Sequence, residues 1–161
     1  MAIINYLVAV PILCIGAYTD LKYREAKNIL WLIMGIIGII LLLIPPYDLL
    51  YIAIMIIIII LLFVMFYCLP TVGGADIKAM MALSILFPYP IGASYLPPIY
   101  SILMYSFMIT LAFILIVKYF NREKTFTELL KDYPFPFLVS LLGGVIVLFF
   151  IGDITVLFTW Y

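Results

Sequence analysis

Histidine is absent from this 161-residue chain, charged residues make up only 10% of it, and two cysteines are present. Lacking His, the chain has neither the commonest metal ligand nor the side chain that ordinarily exchanges protons near neutral pH. Cys14 and Cys68 each lie inside an apolar run and form no C-x-x-C pair, so the expectation is two inert buried thiols and no zinc or redox site. Eight basic residues balance eight acidic ones, so nothing in the net charge points to a nucleic-acid partner. An ordinary soluble domain is about one-quarter charged. At one-tenth, this chain cannot cover itself with polar side chains in water.

What is present is apolar. Hydrophobic residues make up 69% of the chain and the mean hydropathy is +1.37. A spanning helix needs about 20 largely apolar residues, and five stretches meet or approach this: Ala2–Thr19, Ile29–Ile44, Leu49–Leu69, Ile99–Val117 and Phe135–Leu157. A sixth, Ile77–Phe87, is cut short by Pro88 and Pro90. The expected fold class is all-α: a single membrane-embedded domain over residues 1–161, a six-helix transmembrane bundle with a short fourth helix. No basic region precedes the first stretch and no cleavage site ends it, so it is expected to be a retained span.

Charge sets the orientation. Lys22, Arg24 and Lys27 follow the first span, Lys78 opens the short segment, and Lys118, Arg122, Lys124 and Lys131 separate the last two. With six crossings all eight fall on one face, which the positive-inside rule makes cytoplasmic. Both termini are then external, in a multi-pass protein of the cell membrane. A re-entrant short segment would put the Lys118–Lys131 loop outside, so a full crossing is favoured, completed by the irregular stretch from Pro88 to Pro98. Non-helical backbone at membrane depth needs protein or a water-filled cavity around it, and hydrolysis inside a membrane needs that cavity too.

Four carboxylates lie within or at the edges of the spans: Asp20, Asp48, Asp76 and Asp153. Such residues are costly and mark functional sites by default. The orientation puts Asp20 and Asp76 at the cytoplasmic boundary, with Asp48 and Asp153 a membrane thickness away. Two carboxylates held close together do not both ionise readily and share one proton. Such a pair hydrolyses a peptide bond without metal or covalent nucleophile: one member takes a proton from water, the other polarises the carbonyl. Gly73 and Gly74 let the chain turn sharply before Asp76, and Ala75 keeps its surroundings small. Simpler readings stand beside this one: Asp76 as a helix cap, Asp20 as a loop charge among Lys22 and Arg24, and Asp48 and Asp153 as caps or solvated groups.

Thr19-Asp20-Leu21-Lys22-Tyr23-Arg24-Glu25, with Lys27-Asn28 before the next span, resembles the first aspartate motif of the type IV prepilin peptidase family. Gly73-Gly74-Ala75-Asp76-Ile77-Lys78, followed by Ala82-Leu83 and Phe87-Pro88, resembles the second motif in its archaeal preflagellin and prepilin peptidase form. Pro134–Val139 and Gly152-Asp153 resemble the last span of that group. Ala75 replaces the second glycine of Gly-x-Gly-Asp, and the Phe120–Tyr133 connection leaves no room for the soluble domain of some preflagellin peptidases. The resemblance implies a six-helix aspartyl endopeptidase with Asp20 and Asp76 as its catalytic pair, no cofactor, and no methyl transfer. The implied substrate is a prepilin-like or preflagellin precursor, cut at the cytosolic face between a basic leader and an apolar segment. Glu25, Glu123, Glu128 and Asp132 lie on that face, either to attract the leader or to balance neighbouring Lys and Arg. The alternative is a small transporter or channel subunit, where broken helices and carboxylates also occur, though near the bilayer midplane.

In a background lacking Cys14 and Cys68, single cysteines at Tyr47 and Ala93 should react with an impermeant reagent applied to whole cells, and one at Asn121 should not. Labelling at Asn121 would overturn both the orientation and the catalytic pairing built on it.

Overall fold

The computed structural model describes residues 2–23, 26–44, 48–68, 74–89, 97–121 and 137–152, with the side chains of 65–68 excepted. Among them the chain is entirely helical: α1 (Ala2–Tyr23), α2 (Asn28–Leu42), α3 (Leu49–Cys68), α4 (Gly74–Leu86), α5 (Ile99–Phe120) and α6 (Phe137–Ile151). Two helices, α1 and α5, are long and apolar enough to cross a bilayer, and α2, α3 and α6 are apolar but shorter over their described length. Their outer faces carry large exposed aliphatic and aromatic side chains such as Ile36, Ile57, Phe107, Leu115 and Phe150. In water that surface would aggregate. Against acyl chains it needs no cover.

The helix ends follow local chemistry. Pro11 inside α1 removes one ladder hydrogen bond, which spanning helices tolerate. Pro88 closes α4: its ring disfavours helical geometry at Phe87, whose N–H donates the last ladder bond to the Leu83 carbonyl at 2.9 Å. At 13 residues α4 rises about 20 Å, well short of the roughly 30 Å hydrocarbon layer. The apolar run expected to carry the last span to Leu157 is interrupted earlier. Gly152 adopts a φ of +92°, a left-handed conformation that terminates helices, and donates to the Leu148 carbonyl at 3.0 Å. The Tyr105 hydroxyl donates to the Gly152 carbonyl at 2.9 Å, tying this end to α5.

The short helix occupies the centre. α4 contacts every other described helix, and more than half of its side chains are buried. The most extensive helix pairs are α5 with α6 and α2 with α4, while α1 packs on α6 and α3 on α4. Glycine sets the two main approaches. A Cβ on Gly38 of α2 would lie 3.0 Å from the Leu86 backbone nitrogen, and one on Gly144 of α6 would lie 2.6 Å from the Ile102 carbonyl oxygen. Small residues at such crossings let backbones meet where no hydrophobic effect drives association. Buried Ser84 and Ser106 return their hydroxyls to carbonyls one turn back, at 2.8 and 2.6 Å. Cys14 departs from expectation: it is exposed on the outside of α1, because the apolar run around it faces outward there as well as inward.

Gly144→Ala should destabilise the bundle by about 1–3 kcal/mol, since a backbone carbonyl has no rotamer by which to yield. Gly35→Ala, where an added Cβ meets nothing within 4 Å, should be neutral or stabilise by about 0.5–1 kcal/mol. Thermal unfolding of both variants in one detergent tests the contrast.

Candidate active site

The relative directions of the helices follow from their cross-contacts. Asn28 at the start of α2 accepts a 2.9 Å hydrogen bond from Lys78 Nζ in the second turn of α4, and Gly38 lies against Ile85 and Leu86 further on. The two helices therefore run parallel. Tyr6, early in α1, meets the Phe87 ring at a tilt and the Phe149 ring edge-on, with centroids 5.2 and 5.0 Å apart, so α1 runs antiparallel to α4. The late residues of α1, the first of α2 and the first of α4 share one end of the bundle.

At that end α1 continues as helix through Asp20 to Tyr23. Asp20 is thus held on a helix, partly buried, and not carried on a loop. Thr19 bonds back to the Gly16 carbonyl at 2.9 Å. Lys22 lies outside on the Tyr18 and Tyr23 rings, 5.7 and 5.1 Å from their centroids. Asp76 is the third residue of α4, inside its first turn and not its cap, and is also partly buried. Backbone N–H groups at a helix start favour an anion there. The surrounding protein desolvates Asp76, and the Asp20 charge acts on it as well. The fold thus brings together the two carboxylates that depth alone pairs in the sequence.

The other candidates separate from them. Asp48 accepts the Leu50 N–H at 2.9 Å and caps α3. One turn on, Tyr51 meets Tyr89 edge-on at 6.3 Å, beyond the C-terminal end of α4. Asp48 therefore lies at the opposite end from Asp76, about the length of α4 away. Gly74 is the first residue of α4. Gly73, Asp153, Glu25, Glu123, Glu128 and Asp132 lie outside the described residues.

Sequence reasoning missed two features beside the pair. Lys78 serves there for orientation and as part of the second motif, yet it also bridges α4 to Asn28; the polar Asn at a helix start was the available signal. Trp31 is 4% exposed, and its ring lies so near α1 that a Cβ on Gly16 would be 2.7 Å from it. Its buried indole Nε1 has no acceptor among the described residues. No spacing rule points to it.

A family model described as the type IV leader peptidase family matches residues 7–148. No curated protein and no solved structure matches the chain.

Asp48→Ala should cost about 1 kcal/mol of stability through loss of the α3 cap and leave peptidase activity at its original level. Unfolding and cleavage measured on the same preparation test both halves.

Proposed function

The chain belongs to the type IV leader peptidase family and is an aspartic-type membrane peptidase; on that premise we propose that Asp20 and Asp76 are its catalytic dyad. The carrying observation is that two partly buried carboxylates from different helices lie at one end of the bundle, near enough for the charge of Asp20 to act on Asp76. In the proposed dyad the two carboxylates hold one proton between them. The ionised member takes a proton from a water molecule as its oxygen attacks the scissile carbonyl carbon. The protonated member donates to the carbonyl oxygen as charge develops there. The tetrahedral intermediate collapses when the leaving nitrogen receives a proton, and the dyad returns to its starting charge. No metal or cofactor enters this sequence. Gly73 and Gly74 carry no side chain and so leave room beside Asp76 for the substrate.

The substrate is a prepilin-like or preflagellin precursor, cut at the cytosolic face between its basic leader and its apolar segment. One-sided Lys and Arg support that orientation, with both termini external and six crossings forming one domain over residues 1–161. A dyad at a membrane boundary suits a bond that lies where the substrate enters the bilayer.

Asp20→Asn and Asp76→Asn preserve side-chain volume but remove proton exchange. Each should lower cleavage of a prepilin-like substrate on the order of 10³-fold or more, and the double variant should be scarcely worse, because the pair acts as a unit. Membrane levels of each variant are measured alongside. Substantial turnover by either single variant, at normal levels, removes that residue from the chemistry.

A further inference from the structure

The two aspartates sit on α1 and α4, yet those helices touch each other little. α2 packs on both, and more extensively on each than they do on one another. Its seating at the carboxylate end rests on two contacts. Toward α4, Asn28 at the start of α2 accepts the 2.9 Å bond from Lys78 Nζ, and Lys78 stands two residues, about 3 Å of helix rise, beyond Asp76. Toward α1, the buried Trp31 ring lies on Gly16, so close that an added Cβ there would stand 2.7 Å from Cη2 and 3.4 Å from Cζ2.

Register makes both contacts bear on the carboxylates. Gly16 and Asp20 are four residues apart on α1, and Asn28 and Trp31 three apart on α2, so each pair shares a helix face. From Asp76 the path runs through Lys78 to Asn28, one turn along α2 to Trp31, across to Gly16, and one turn along α1 to Asp20. The two links differ in kind. The indole is flat and stiff, and Gly16 meets it with backbone that has no rotamer by which to yield, so this contact limits how near α1 comes. The Lys78 stem is flexible, and its bond to a fixed acceptor is what holds that turn of α4 to α2. Between helices in a bilayer no hydrophobic effect sets the spacing, and contacts of this sort do.

We propose that α2 is the spacer that sets the separation of Asp20 and Asp76, with Trp31, seated on Gly16, and Lys78, bound to Asn28, as its positioning residues. The assignment rests on the dyad reading and deepens it. None of these residues exchanges a proton in the reaction. Sharing one proton and aiming one water both need the carboxylates at a fixed spacing, and a displacement of about 1 Å costs on the order of 10²-fold in rate. Substrate affinity does not depend on that spacing.

The test uses purified enzyme in lipid with a prepilin-like substrate, kcat and KM being measured per folded enzyme. Gly16→Ala sets a methyl against the ring and should lower kcat on the order of 10²-fold with KM little changed. Trp31→Phe ends short of Gly16, leaves a gap and should also lower kcat. Combined, the methyl fills the gap, and kcat should recover about tenfold or more over Gly16→Ala alone. Lys78→Met keeps the stem and loses the bond. It and Asn28→Ala should each lower kcat on the order of tenfold, and the double variant should be no worse, since the same bond is lost in all three. Asn28 is exposed and Lys78 only partly buried, so these variants decide the matter if Gly16→Ala fails to accumulate. Unchanged kcat in Lys78→Met, or in Gly16→Ala at normal levels, overturns the spacer role and leaves the dyad standing so long as Asp20→Asn and Asp76→Asn are inactive. Full turnover by either aspartate variant overturns both.

Discussion

A helix too short to span, with a carboxylate in its first turn, cannot face lipid, and the bundle is built around that constraint. The ends of α4 carry backbone groups without helical partners, and acyl chains offer none. The other five described helices all reach α4. Close approach follows from the same need: Gly38 lets α2 lie against the end of α4, and Gly144 draws α6 onto α5. Were α4 long enough to span, its first turn would have no reason to sit inside protein, and Asp76 no shelter in which to meet Asp20.

The site combines rigidity with access. Both aspartates sit on helices, so neither depends on loop conformation for its position. Both are only partly buried, so each carboxylate keeps some accessible surface. The Lys78 bond to Asn28 adds a polar tie between α2 and α4 at the same end. Lys22 lies against tyrosine rings outside the pair.

The apolar runs made the helices legible, and their lengths singled out α4. The pairing of Asp20 with Asp76 was legible as well, because charge bias fixes depth and depth sorts four carboxylates into two pairs. The helix neighbours were not. In water, the polar face of a helix reveals its inner face; in lipid both faces are apolar, and composition loses that contrast. Cys14 shows the loss directly, since an apolar context suggested burial where the side chain faces outward. The end of α6 escaped for a different reason: Gly152 stops the helix through a positive φ, while apolar sequence continues past it. Trp31 escaped because its unmet donor exists only once three helices are assembled.

The packing also divides the bundle mechanically. α2 and α4 pack into one plate with α3 attached, and α5 and α6 into another with α1 leaning on it. Asp76 rides on the first plate and Asp20 on the second. The gap between the carboxylates therefore gauges how the plates are seated. A change in their separation thus needs only one plate to shift against the other, with no residue displaced within its own helix.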